Sequence, residues 1–146
     1  MTIKTKVLDK RAKMPTRGSG GAAGHDLYAL IPNGIQIIKP HETEIIKTGI
    51  AVEIPQGYFG GLYARSGLAT NSGLRLATGT SVIDSDYRGE ILVGLYNDSN
   101  DRQVVYNGDR IAQLVIQPHA DAEYVEVGKL SETDRGKGGF GSTGVK

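Results

Sequence analysis

The runs Ile91-Leu92-Val93-Gly94-Leu95-Tyr96 and Val104-Val105-Tyr106-Asn107-Gly108-Asp109-Arg110-Ile111-Ala112-Gln113-Leu114-Val115-Ile116-Gln117-Pro118 decide the fold class. Ile91, Val93 and Leu95 share one face of an extended chain, and Leu92, Gly94 and Tyr96 share the other. Asp98-Ser99-Asn100-Asp101 is a turn by composition. Val104, Val105 and Tyr106 lead into Asn107-Gly108, two residues that tolerate positive φ, which predicts a β-hairpin. Ala112, Leu114 and Ile116 then alternate with Gln113 and Val115 until Pro118 stops the run. A period of two, punctuated by turn residues, is the pattern of antiparallel strands.

The same pattern extends outward. Gly34-Ile35-Gln36-Ile37-Ile38 is followed by Pro40, and Ile50, Val52 and Ile54 alternate with Ala51 and Glu53 before Pro55. Tyr124, Val125 and Val127 predict a last short strand. Many short strands and almost no helical period imply an all-β protein, an antiparallel sandwich or barrel rather than a βαβ fold. One short helix is predicted over 66–72, with Ser66 as N-cap and Gly73 as the stop. From Gly128 the apolar pattern collapses into polar residues and glycine. The expected organisation is therefore one β domain over 1–127 and a flexible, glycine-rich arm over 128–146.

Composition narrows the chemistry. The chain has 146 residues, no cysteine, and 17 basic against 16 acidic side chains. The absence of cysteine excludes thiolate metal sites and cysteine nucleophiles. A net charge of +1 does not suit a general nucleic-acid binder, which must displace many counterions, but it does not exclude a small polyanionic ligand. No signal-peptide core and no bilayer-length apolar run is visible, so a soluble, cytoplasmic protein with no membrane partner is expected. Glycine is the anomaly, at 21 residues, about twice the usual share.

Three segments carry chemistry. In Arg65-Ser66-Gly67 a helix start presents unpaired N–H groups, and the arginine adds a bidentate phosphate donor; an ordinary capped surface helix fits the same residues. In Arg135-Gly136-Lys137-Gly138-Gly139-Phe140-Gly141-Ser142-Thr143-Gly144 glycines let the backbone wrap closely around an anion. Arg135, Lys137, Ser142 and Thr143 are phosphate-type donors, and the single Phe140 suits stacking on a base. The bland reading of that segment is a disordered terminus. In Gly79–Glu90 the carboxylate Asp84 follows Val82 and Ile83, so it is expected in a partly dry place. A carboxylate is a weak base, and Asp84 would work mainly by positioning a water; most such segments are simply polar hairpin tips. Asp26, in Ala23-Gly24-His25-Asp26-Leu27, could hold a hard cation directly or through water.

Taken in order, these segments resemble the trimeric dUTP pyrophosphatase family. The resemblance runs from about Ala22 to Gly144 and rests on five motifs: Ala23–Leu27, Arg65–Ala69, Val82–Glu90, Gly108–Leu114 and Arg135–Gly144. It implies a jelly-roll β fold, a homotrimer with sites shared between subunits, and Mg²⁺-assisted hydrolysis of dUTP to dUMP and pyrophosphate. That reaction keeps uracil out of DNA and supplies dUMP. By the resemblance Asp84 activates a water for attack on the α-phosphate, and Asp26 holds the metal through water. Arg65, Ser66, Gly67 and Gln113 bind phosphates. Thr78, Gly79, Val82 and Ile83 read the uracil edge within the hairpin ending at Asp84, and Tyr87 packs on the deoxyribose. In the arm, Arg135, Gly141, Ser142 and Thr143 clamp the outer phosphates and Phe140 covers the uracil.

Three positions depart from the family pattern: His25 where a non-ionisable residue is common, Thr78 where many bacterial members carry Asn, and Ser81 where Gly is usual. Two alternatives accompany this reading: a non-catalytic nucleotide-sensing protein on the same scaffold, and a dCTP deaminase relative. The deaminase relatives lack an arm of the Arg135–Gly144 type.

Overall fold

The computed structural model describes residues 1–139. Twelve strands and one helix follow in chain order: β1 Lys4–Val7, β2 Thr16–Arg17, β3 His25–Tyr28, β4 Ile35–Ile38, β5 Thr43–Lys47, β6 Ile50–Glu53, β7 Tyr58–Tyr63, α1 Ser66–Ser72, β8 Leu74–Leu76, β9 Ser81–Ile83, β10 Leu92–Asn97, β11 Gln103–Tyr106 and β12 Arg110–Pro118. They form four antiparallel sheets, in the orders β2-β3-β12-β7-β9, β5-β10-β8, β1-β6 and β11-β4. The fold is a jelly-roll, as the family resemblance implied.

The alternation read from the sequence sorts the core. Ile91, Val93 and Leu95 are buried, and so are Ala112 and Leu114 on β12 and Ile50, Val52 and Ile54 around β6. They pack with Leu27, Ile38, Ile46, Leu62, Leu74, Leu76, Val105 and Ile111 in a single cluster. The buried Asn97 donates through Nδ2 to the carbonyls of Ile38 and Asp101, so no buried polar atom is left unpaired there.

Two expectations about strands fail. Asn107-Gly108 does form a turn, in which the Asp109 N–H donates to the Tyr106 carbonyl and Gly108 has φ of 86°. It is not a hairpin, because β11 pairs with β4 while β12 pairs with β3 and β7. The turn is fastened to the β3–β4 connection instead: Asn107 and Gly108 donate to the Gly34 and Ala29 carbonyls, and Asn107 Oδ1 accepts the Ile31 N–H at 2.9 Å. It is therefore a corner where the chain changes sheet. The strand expected at Tyr124, Val125 and Val127 is absent. Those side chains are 97%, 71% and 55% exposed, and among the described residues they pair with no strand. The last strand ends at Pro118, and residues 118–137 are exposed.

The helix spans Ser66–Ser72 and stops at Gly73, which takes φ of 65°. The expected N-cap is displaced by one residue. Arg65 is the cap, extended at φ −83° and ψ 126°, and its carbonyl accepts from Ala69 N–H. Ser66 is already helical, so its hydroxyl cannot reach back to cap the first turn. Among the described residues no helix is long and apolar enough to cross a membrane.

Candidate active site

The first cluster is assembled where β3, β7 and β12 run side by side. Gln113 on β12 stands opposite Asp26 on β3 and Tyr63 on β7, so these side chains share one face. Asp26 is 2% exposed. Its Oδ1 accepts from Arg65 Nε at 3.0 Å and from Gln113 Nε2 at 3.3 Å, and its Oδ2 accepts from Arg110 Nη1 at 3.2 Å. Arg65 Nη1 also donates to the Arg110 carbonyl at 3.4 Å. The buried carboxylate is thus satisfied, and it fixes the plane of the Arg65 guanidinium at the start of α1. Ser66 and Gly67 are exposed beside it. The N–H groups of the first turn have no partner within the helix, and among the described residues no side chain caps them.

Arg110 was missed at the sequence level for a definite reason. Residues 110 and 113 differ by an odd number, so a regular strand would send their side chains to opposite faces. The β12–β3 register shifts between Arg110 and Ala112. That irregularity inserts one residue, buries Ile111 and Ala112 in succession, and turns Arg110 onto the face of Gln113. The only sequence signal was an arginine within the fourth motif.

The second cluster lies on the segment between β8 and β10. Gly79 takes φ of 72°, a conformation that side chains resist, and its N–H donates to the Leu76 carbonyl at 3.1 Å. The hydroxyls of Thr78 and Ser81 lie 2.6 Å apart and close the mouth of this turn. The two departures from the family pattern therefore bond to one another. β9 then pairs with β7, placing Ser81, Val82 and Ile83 opposite Leu62, Gly61 and Gly60. Ile83 packs on the core, while Val82 is 59% exposed.

Asp84 follows at the end of β9 and is exposed, not held in the partly dry place its apolar neighbours suggested. Ile83 turns inward to the core and Asp84, the next residue, turns outward. Tyr87 N–H donates to the Asp84 carbonyl, Tyr87 Oη donates to the Glu90 carbonyl at 2.9 Å, and Arg88 Nη1 donates to the carbonyls of Ser85 and Tyr87. These bonds give the Asp84–Glu90 loop a fixed shape.

The chain does not bring the two clusters together. Asp84 falls beyond Gly60 in the β7–β9 register and Gln113 stands opposite Tyr63 across β7. Strand rise and spacing then separate the two residues by roughly 15 Å. In the arm, Arg135 Nε donates to the Gly138 carbonyl at 2.9 Å and the side chain is exposed. Phe140, Gly141, Ser142 and Thr143 lie outside the described residues.

The described residues contain no group of three or more carboxylate or imidazole side chains that could hold a metal ion. Asp26 already accepts from two guanidiniums and a carboxamide, so it does not fit a resident divalent cation as a direct ligand. Elsewhere, Arg11 holds the Asp9 carboxyl well below the usual carboxylate range, and Lys4 does the same more mildly for Glu53; neither belongs to a cluster described above.

Known proteins place this arrangement in context. A sequence model of the dUTPase family matches residues 10–144. The deoxyuridine 5'-triphosphate nucleotidohydrolase of Desulfitobacterium hafniense is 48% identical, with 99% of this chain and 98% of that protein covered. The one from Kluyveromyces lactis is 43% identical over 98% of this chain and 94% of its own. A solved dUTPase mutant of Staphylococcus bacteriophage 80alpha with dUpNHpp superposes with a TM-score of 0.89 at 31% identity, covering 99% of both chains. A mutant dUTPase from phage phi11 of S. aureus, reported for its coordination of a structural Mg(II) ion, gives a TM-score of 0.79 at 27% identity, over 88% of this chain and 98% of its own. On the match across nearly its whole length and on the shared jelly-roll, the chain belongs to the dUTPase family.

Proposed function

We infer that the chain hydrolyses dUTP to dUMP and pyrophosphate, with water attacking the α-phosphate. The observation that carries this reading is the Arg65 guanidinium, oriented by buried Asp26 and flanked by Gln113 at an uncapped helix start. Guanidinium, carboxamide and free N–H groups are donors only toward an anion, the recognition set of a polyphosphate. Ser66 and Gly67 would bring main-chain donors close to it.

On the other cluster, Asp84 would accept a hydrogen bond from the attacking water and hold it in line. The water oxygen bonds to the α-phosphorus, the bond to the α–β bridging oxygen breaks, and pyrophosphate leaves. The proton of the water passes by way of the Asp84 carboxylate to solvent. The turn of Thr78 and Gly79, with Val82 and Ile83, would face the uracil, and the Tyr87 ring would lie against the deoxyribose. The Thr78–Ser81 hydroxyl bond supports a preorganised turn even though the family's usual residues are replaced.

Mg²⁺ belongs to the substrate in this reading. It would enter with the triphosphate and offset part of its charge, and Asp26 would reach it only through water. The separation of the two clusters supports a homotrimer in which each site draws on more than one copy. So does the exposure of Ile35, Ile37, Val104 and Tyr106 on the β11–β4 sheet, since association would cover that apolar face. The arm, with Arg135, Phe140, Gly141, Ser142 and Thr143, would then close over a site on a neighbour. A cytoplasmic address fits such an enzyme.

The test is pyrophosphate release from dUTP, dTTP, dCTP and UTP, each with and without Mg²⁺. Turnover of dUTP is expected at least 100-fold above the other three and is expected to fall sharply on chelation. Ammonia release from dCTP would instead support a deaminase, and no turnover of any would support a sensor.

A further inference from the structure

We propose that Glu90 is a positioning residue. Its carboxylate, gripping the Gly49 N–H, sets where the Asp84–Glu90 loop holds Asp84 and the Tyr87 ring, and through that ring the preference for deoxyribose over ribose. The proposal rests on the reading above that Tyr87 lies against the sugar. A ring in contact with a sugar face leaves no space for an added hydroxyl there only if the ring itself cannot yield.

The loop is bonded mainly to itself. Tyr87 N–H donates to the Asp84 carbonyl at 3.2 Å, Tyr87 Oη to the Glu90 carbonyl at 2.9 Å, and Arg88 Nη1 to the carbonyls of Ser85 and Tyr87. The Tyr87 ring also lies over Gly89, where a Cβ would meet Tyr87 Oη and stand 2.6 Å from Tyr87 Cζ. Every one of these contacts begins and ends inside the loop, so it holds its shape as one body. Its orientation on the barrel needs a bond that leaves it. Among the described residues a single side chain supplies one: Glu90 Oε1 accepts the Gly49 N–H at 2.7 Å. A charged acceptor makes that bond stronger than a neutral one. Asp84, Tyr87 and Glu90 line one cleft together with Val82 and Leu92, so a turn of the loop about its Glu90 end would move both Asp84 and the ring.

The far end of the grip is immobile. Gly49 lies in the β5–β6 connection at φ of 71°, and a Cβ on it would stand 2.6 Å from Ala12 Cβ and 2.7 Å from Leu30 Cδ2. Its carbonyl accepts from Leu8 N–H at 2.8 Å. Beside it the buried Thr48 donates through Oγ1 to the Ile91 carbonyl at 2.6 Å, and Ile91 N–H donates to the Ile50 carbonyl at 2.9 Å. Ile91 is thereby fixed in the core, and Glu90 is the joint between that fixed residue and the loop. The same residue accepts from Gly49 with its side chain and from Tyr87 with its carbonyl, which connects the barrel to the ring in two bonds.

The experiment measures pyrophosphate release from Mg-dUTP and Mg-UTP and, by calorimetry, binding of dUMP and UMP, on the full chain and on three variants. Glu90→Ala removes the grip. It is expected to lower kcat for dUTP about tenfold or more, and to narrow the preference for dUTP over UTP and for dUMP over UMP by about tenfold, since small misplacements of positioned groups are costly. Glu90→Asp keeps the charge but is one methylene too short to reach Gly49, and the same direction of change is expected. Glu90→Gln keeps the accepting oxygen, and its preferences are expected to return to within about threefold of wild type. A purely structural role would lower the fraction of folded chain, which scales both nucleotides alike and leaves the ratios unmoved. Ratios in Glu90→Ala within about twofold of wild type therefore overturn the proposal. Should that variant fail to fold, unchanged ratios in Glu90→Asp overturn it. A Glu90→Gln chain as impaired as Glu90→Ala also overturns it, because the charge and not the bond to Gly49 would then be what matters. A wild-type chain that prefers dUMP to UMP but releases no pyrophosphate refutes the hydrolysis alone, and the binding ratios then decide the proposal. A wild-type chain without that preference overturns the proposal.

Discussion

Asp26, Asp84 and Arg65 are each singled out by residue type and motif, and the structure gives each a different setting. Asp84 is exposed at the end of β9, with its loop shaped by Tyr87 and Arg88 bonding to main-chain carbonyls. Its side chain carries none of those bonds, so Asp84→Asn should leave the loop intact. The expected result is a fall in kcat of about 100-fold or more, the usual contribution of a positioned acid–base group, with KM within threefold. Pyrophosphate release at the wild-type rate would remove Asp84 from the water-activating role. Thr78 and Ser81 read as isolated departures in the sequence. Only the structure shows that their hydroxyls bond to one another, at 2.6 Å.

Elements were legible where one face is buried and the other is not. β10 and β12 follow their hydrophobic alternation because Val93, Leu95, Ala112 and Leu114 all point to the core. β7, Tyr58-Phe59-Gly60-Gly61-Leu62-Tyr63, was hidden by its glycine pair, which reads as a turn. A Cβ on Gly60 would lie 2.8 Å from Leu114 Cδ1 and 2.9 Å from Ile54 Cδ1, so these two core side chains would have to shift to admit one. Asn107-Gly108 misled in the opposite direction. A turn signal is local, whereas the partner of the strand beyond it is chosen by packing. Because Asn107 Oδ1 holds the Ile31 N–H at the corner, Asn107→Ala should destabilise the fold by about 1 kcal/mol, the net worth of one such bond. Equilibrium urea unfolding at fixed chain concentration measures it. A midpoint equal to wild type would mean that the corner is held by its main-chain bonds alone.

At the scale of the whole molecule, the two clusters stand apart in one chain, and residues 118–137 lie exposed without joining the core. Removing the chain from Ser131 onward should therefore cost the β domain little stability, leave it associated as three copies, and abolish most dUTP turnover. Light scattering and pyrophosphate release check the two halves of that expectation; a monomeric or fully active truncated chain contradicts it. The sequence by itself determined the all-β class, most of the core, the helix stop at Gly73 and the motif residues, because periodicity, turn chemistry and donor type are local properties of the chain. Tertiary structure alone decided that β11 and β12 part company, that Arg110 joins Arg65 on Asp26, and that Asp84 faces solvent roughly 15 Å from them. Pairing, bulges and burial are settled between segments distant in sequence, where packing rather than propensity selects the outcome.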